Sequence, residues 1–228
     1  TFTDEFEDQE ILIDSKKFVK LLNKTKISIS NDDTRHYLNG IYLHLTEANG
    51  RSFLTAVATD SHRLSSSSLE INETNDFKSV ILPRKAVYQL CNLLAETSDK
   101  LSMSISENKI KFTLGNIKLI SKVIDGKFPD YKKVVPTNND KTLLVSTKEF
   151  INSIERVTTV SIDRKEGVKL LVNKDNLQLS VNSANSGDGN EKIQANFSSE
   201  NLNISFNSKY LIAVSYTHLT LPTTHGGE

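Results

Sequence analysis

The chain has 228 residues, 37% apolar and 25% charged, which is the balance of a soluble globular protein with one large domain or two of ordinary size. Its 28 basic and 28 acidic residues cancel, so net charge alone calls for no nucleic acid, and the placement of the cations decides. No apolar run approaches the roughly 18 residues of a membrane span, and the acidic opening TFTDEFEDQE is no secretory signal. The single cysteine, Cys91, excludes a disulfide or thiolate zinc site within the chain. In VYQLCNLL it reads as a small buried hydrophobe in a reducing cytoplasm. The start without Met reads as the middle of a gene.

Four segments share one pattern: IDSKKFVKLL from Ile13, LPRKAVYQL from Leu82, VSTKEFINSI from Val145 and FNSKYLIAV from Phe206. Each predicts a strand running into a helix. Their lysines, Lys16, Lys85, Lys148 and Lys209, lie 69, 63 and 61 residues apart. Ser15, Thr147 and Ser208 precede three of them, as helix N-caps would. After the first helix, Ile41, Leu43 and Leu45 alternate as in a strand, and EANGRS supplies an Asn-Gly hairpin turn. After the second, Leu101, Met103 and Ile105 alternate, then Ile110, Phe112 and Leu114. The segment 125–141, DGKFPDYKKVVPTNNDK, has the Gly and Pro content of a turn and linker. Beyond it, Val168, Leu170 and Val172 precede the turn NKDN and the strand with Leu177, Leu179 and Val181. Ile193, Ala195 and Phe197 read as pairing with Leu202, Ile204 and Phe206. The repeat is thus a β-α-β-meander unit of about 65 residues, and two units make one domain of comfortable size.

On the first helix Lys16, Lys17, Lys20 and Lys24 span about a 100° arc, opposite Phe18, Leu21 and Leu22. Lys148, Asn152 and Arg156 imitate this at spacing four in the third. Recurrence of basic faces on one side of a sheet predicts a surface that meets phosphates without reading bases. A few such contacts bind weakly and in a salt-sensitive way, so lasting residence on DNA needs a topological device.

The stretch TAVATDSHRL brings Asp60, Ser61, His62 and Arg63 together. A hydrolase-like site at Asp60/Ser61/His62 would need Ser61 Oγ against an imidazole base held by a third group. In an extended strand Ser61 and His62 diverge, which argues against it. His36 and His44 are the other histidines before the tail and form no HxxxH or HxH pattern, so no metal or other cofactor is expected. A polar strand end with mutually satisfied hydrogen bonds is the plainer reading.

HYLNGIYLHL, TAVATDSHRLS, VILPRKAVYQL and KVIDGKFPDYKKVVP, in that order, resemble the bacterial DNA polymerase III beta subunit, the sliding-clamp family, over about residues 8 to 213. The resemblance implies an α+β DNA-clamp fold: repeated β-α-β-meander units with helices on one face of curved antiparallel sheets. It implies a non-catalytic processivity factor whose protomers join head to tail into a homodimeric ring around duplex DNA. DNA polymerase and clamp-loader subunits dock through short hydrophobic peptides, and no membrane is involved. By this resemblance residues 1–8 are a remnant of a first domain, 9–137 the middle domain with its linker, and 138–213 an incomplete third domain. The matching peptide-pocket positions are Leu38, Thr59, Ser61, His62, Arg63, Leu64, Pro129, Lys133 and Val134. Ser61 stands where the family usually has glycine and Lys133 where it usually has arginine. DNA-facing positions by resemblance are Arg35, Lys85 and Lys133; helix geometry adds Lys16, Lys20, Lys24 and Lys148. After Ala213, VSYTHLTLPTTHGGE loses helical period, and its first ten residues resemble one reading frame of a sequencing-library transposase adapter. Residues 214–228 are therefore expected to be a non-native tail.

Overall fold

The computed structural model describes residue 6 and residues 10–72, 77–95, 97, 99–161, 167–183 and 187–217. Two compact units divide at Asp130 and Tyr131, inside the expected linker but seven residues before position 137, since 137 − 130 = 7. The linker is therefore split between the units, not attached whole to the first.

In the first unit β1 (Ile11–Asp14) leads into α1 (Ser15–Thr25). Two 3-10 turns, Lys26–Ser28 and Asp33–Leu38, precede the meander β2 (Gly40–Ala48), β3 (Arg51–Thr59) and β4 (Leu64–Ile71). The pattern then repeats: β5 (Val80–Pro83), α2 (Arg84–Leu94), β6 (Lys100–Ile105), β7 (Lys109–Leu114) and β8 (Ile117–Lys122). The sheets run β1-β6-β7-β8 and β4-β3-β2-β5, antiparallel throughout. Each leading strand thus borders the meander of the other repeat, which locks the two repeats into one body. Asn49 and Gly50 both take positive φ, 52° and 70°, so the Asn-Gly turn forms as expected. At Gly40 a Cβ would stand 2.3 Å from the Leu82 carbonyl oxygen, so only glycine lets β2 approach β5 there.

The core is made by the helices and both sheets. Phe18, Leu21 and Leu22 of α1 are at most 2% exposed, and the Phe18 and Phe112 rings lie 5.9 Å apart. Val87, Leu90 and Leu94 of α2 join the same cluster as Ile41, Leu43, Leu82 and Ile110. Cys91 is buried too, and burial pushes its thiol pKa up while nearby Lys26 opposes the shift.

The second unit holds the 3-10 turn Tyr131–Lys133, β9 (Leu143–Val145), α3 (Thr147–Val157), β10 (Gly167–Val172), β11 (Asn176–Ser183), β12 (Gly187–Phe197), β13 (Leu202–Asn207) and α4 (Ser208–Thr217). Its sheet order is β13-β10-β11-β12-β9. β13 pairs with β10, not with β12 as expected from proximity in sequence. The reason is the repeat itself: β13 is the leading strand of the next unit, and it meets β10 as β5 meets β2.

Two other expectations are corrected. The caps sit one residue earlier than Ser15, Thr147 and Ser208: Asp14, Ser146 and Asn207 accept from Lys17 N at 2.8 Å, Glu149 N at 3.4 Å and Lys209 N at 2.9 Å. The side chains after them are inside the first turn, where Ser15 and Ser208 are fully buried and Ser15 Oγ donates to the Asp99 carbonyl. The helical pattern also does not end at Ala213. α4 continues to Thr217, with Ser215 buried and Tyr216 Oη donating to Glu155 at 2.7 Å. The rest of the proposed tail, 218–228, lies outside the described residues. Among the described residues no helix is long and apolar enough to cross a membrane.

Candidate functional site

The β3–β4 hairpin is closed by the pair Thr59 and Leu64, leaving Asp60 to Arg63 as a four-residue turn. The stretch is therefore not extended, and alternation of side chains does not apply to it. Internal hydrogen bonds fix its backbone. Thr59 Oγ1 donates to the Arg63 carbonyl at 2.7 Å and accepts from Ser61 N at 3.1 Å. Asp60 Oδ1 accepts from His62 N and Arg63 N, both at 3.0 Å, while Oδ2 pairs with Arg63 Nε at 3.0 Å. Both carboxylate oxygens thus hold the turn, as an Asp at a turn start does. Ser61 Oγ accepts from Arg35 Nη1 at 2.5 Å. No nucleophile-base pair forms, and the hydrolase-like reading of Asp60/Ser61/His62 finds no support. Among the described residues no group of three His, Cys, Asp or Glu could hold a metal ion.

Ser61 has φ +74°, the left-handed region that glycine enters without strain and other residues avoid. That is the physical reason for a glycine at such a turn. His62 is exposed, Leu64 half-buried, and Leu38 buried at 2% exposure, so Leu38 offers almost no surface of its own. Pro129 is exposed in the first unit; Lys133 and Val134 open the second, with Val134 at 69% exposure.

Sequence reasoning missed the anchor next to Pro129. Phe128 is buried against Tyr42, rings 4.9 Å apart and 7° from parallel, and Tyr42 stacks in turn on His44 at 4.7 Å. This three-ring stack lies on β2 opposite Ile41 and Leu43 and pins the end of the first unit to its own sheet. The alternation of β2 placed Tyr42 and His44 on one face, but nothing local predicted which residue would cover them.

Among the basic positions, Lys16, Lys20, Lys85 and Lys148 are exposed. Lys24 is half-buried, and with Lys17 and Lys20 it lines a groove of about 240 Å³ against Ser67–Leu69 of β4. Lys17 therefore joins this set, and Lys16 stands outside the groove. Arg156, expected to extend the basic face of α3, is bound by Glu191 in a bidentate pair, with Nε to Oε1 and Nη2 to Oε2, the latter at 2.8 Å. Its charge is paired with an acidic neighbour from β12 while the side chain stays exposed. The pair holds the Glu191 carboxyl below its usual range and raises Arg156 further.

The family model for the DNA polymerase III beta subunit central domain matches residues 12–130, and the model for its C-terminal domain matches 132–217. The chain belongs to the DNA polymerase III beta subunit family. The beta sliding clamp of Caulobacter vibrioides strain NA1000 is 35% identical over 205 residues, 90% of this chain and 55% of that protein. That of Escherichia coli K12 is 33% identical over 195 residues, 86% of this chain and 52% of that protein. The sliding clamp of Bartonella birtlesii, solved bound to griselimycin, superimposes with a TM-score of 0.91 at 37% identity, over 97% of this chain and 59% of that one. The chain thus spans about half the length of the curated relatives it matches. With the family, the clamp fold is established, and the β-α-β-meander repeat is its unit.

Proposed function

We propose that the chain serves as part of a non-catalytic processivity factor of the replicative DNA polymerase. It is part of a sliding clamp that encircles duplex DNA without reading sequence, closed by head-to-tail pairing of two protomers. One observation carries the DNA side of this reading. Each of the four α-helices among the described residues has a lysine at its second residue, Lys16, Lys85, Lys148 and Lys209, and all four are exposed. A cation at a helix N-terminus opposes the helix dipole by about 0.3–1 kcal/mol. Repetition of a locally unfavourable choice in four helices is accounted for by an anion met at each N-terminus, and a helix N-terminus with a lysine beside it suits phosphate. The groove lysines Lys17, Lys20 and Lys24 add further cations on α1.

DNA polymerase and clamp-loader subunits dock on the first unit, where the 60–63 turn presents Ser61 and His62 beside Thr59 and Leu64. A peptide of the Gln-Leu-Xaa-Leu-Phe type fits the apolar character of Leu64.

Anisotropy titrations of labelled linear duplex DNA against salt test the first surface. Each of Lys16→Ala, Lys85→Ala and Lys148→Ala is expected to lower the slope of log affinity on log salt by about 0.9 if its lysine meets one phosphate. Slopes identical to the parent chain overturn the phosphate assignment. Peptide titration tests the second surface, with binding lost in His62→Ala or Leu64→Ala.

A further inference from the structure

A groove of about 910 Å³ opens in the first unit between residues 78–81, at the start of β5, and residues 122–128, beyond the end of β8. The two segments are tied by one backbone bond, Ile124 N to the Ile81 carbonyl at 2.9 Å. Apolar groups line much of it. Val80 and Ile81 are 5% and 3% exposed, Ile124 is half-buried, and the stacked rings of Tyr42 and Phe128 complete the set. None of the lining residues belongs to the 59–64 hairpin turn.

The charged part of the lining is weighted toward cations. Lys78, Lys122 and Lys127 stand exposed there, against Glu107 and Asp125. Lys78 Nζ donates to the Glu107 main-chain carbonyl at 3.4 Å, a neutral acceptor. The basic character continues along the sheet, where Lys122 of β8 is paired directly with Lys109 of β7. Cross-strand partners leave a sheet on the same side, and like charges so placed repel. Lys111, two residues along β7, leaves on that side as well. Its ammonium shows what this surface accepts. The Glu10 carboxylate stands 3.8 Å from it, and the Phe6 ring centroid 4.7 Å. An acid and an aromatic ring from one acidic stretch, TFTDEFEDQE, thus meet a lysine of this face.

We propose that the groove is a docking site for an acidic protein segment that carries an aromatic side chain. The aromatic ring packs among Tyr42, Ile124 and Phe128, where aromatic pairs add to plain area burial. The carboxylates meet Lys78, Lys122 and Lys127, which as exposed cations contribute orientation and encounter rate more than affinity. Glu107 and Asp125 in the same lining oppose the evenly charged backbone of a nucleic acid, whereas a peptide sets its carboxylates apart from them. The site is separate from the peptide docking at His62 and Leu64 and stands without it.

Fluorescence polarisation on the whole chain at low ionic strength tests this with three labelled, amidated pentapeptides. They are Asp-Glu-Phe-Glu-Asp, the chain's own run at residues 4–8, Asp-Glu-Ala-Glu-Asp and Asn-Gln-Phe-Gln-Asn. The first is expected to bind about 5-fold or more tighter than either of the others, since one lacks the ring and the other the charge. The triple variant Lys78→Ala, Lys122→Ala, Lys127→Ala should weaken the first peptide by about 5-fold or more and change the neutral one by less than about 2-fold. Lys174→Ala, which removes a cation from the second unit, should leave all three within about 2-fold. No binding of the first peptide by the parent chain overturns the inference. So does indifference of the parent to either the ring or the carboxylates, and so does an acidic preference that survives in the triple variant. If labelled oligothymidylate binds the parent and not the triple variant, while the phenylalanine and alanine peptides bind alike, the groove serves a nucleic-acid backbone and the inference fails.

Discussion

Strands β5 and β13 hold the same place in their repeats, yet their side chains have opposite fates. In β5, Val80 and Leu82 stand opposite Leu43 and Ile41 of β2 and are 5% and 0% exposed. In β13, Ile204 and Phe206 stand opposite Leu170 and Val168 of β10, which are themselves buried, and yet are 38% and 41% exposed. Sequence and pairing are alike; what differs is the second layer. The first unit closes its core between two sheets and two helices, with β6 and β7 supplying Leu101, Met103, Ile110 and Phe112. The described residues of the second unit provide one sheet, so the same apolar face is only partly covered. A repeat of this kind buries its hydrophobic face only through its neighbour.

The sharpest way to break the comparison is to shorten the equivalent side chains. Leu82→Ala should destabilise the first unit by about 2–5 kcal/mol through lost burial and a residual cavity. Ile204→Ala, in contrast, should cost less than about 1 kcal/mol, because much of its surface is already in water. Urea denaturation read unit by unit through hydrogen exchange of β2 and β10 amides measures both. Equal losses would mean that the exposure of β13 does not exist in solution.

A smaller contrast lies in the glycines that begin the central strands. Gly40 pairs with Pro83 and Gly167 with Asn207, so they are counterparts. A Cβ on Gly40 would meet the Leu82 oxygen at 2.3 Å, whereas on Gly167 the nearest atom is the Phe206 oxygen at 3.5 Å. Gly40→Ala is expected to cost about 1–3 kcal/mol from forced separation of the strands, and Gly167→Ala to fall within about 0.5 kcal/mol of neutral. The thermal midpoints of the two variants decide it.

The smallest expected effect is electrostatic and confined to the second unit. Arg156 holds the Glu191 carboxyl below its unfolded value, so the stabilisation is fully present above that unfolded value, near pH 4.3–4.5, and is lost as pH falls through the depressed folded value. Glu191→Gln should therefore flatten the acid limb of the second unit's stability below about pH 4.5 while leaving that of the first unit unchanged. A parallel acid limb in parent and variant would show that the pair adds nothing in solution.

Much of this architecture is legible in the residues. Alternation at Ile110, Phe112 and Leu114 and the helical spacing of Phe18, Leu21 and Leu22 translate directly into burial, because local period dictates which side chains share a face. The β4 strand was not legible, since LSSSSLEI carries four consecutive serines, two on each face, and only pairing with β3 makes it a strand. The pairing of β13 with β10 was misread for a related reason: neighbours in sequence are the usual partners, and only the swap between repeats overrides that habit. At the candidate site, the turn geometry of Thr59 to Leu64 was not legible, because an Asp that caps its own turn looks in sequence like a charged residue awaiting a partner.

The sequence by itself determined the repeat, the lysine at the second position of each helix, the Asn-Gly hairpin and membership of the clamp family, all of which rest on local spacing and residue type. Tertiary structure alone decided that Arg35 reaches Ser61, that Arg156 is spent on Glu191, and that Phe128 covers Tyr42. Each of these contacts joins residues at least 26 positions apart. Local spacing records which face a side chain leaves from, and only the folded chain brings the group it meets.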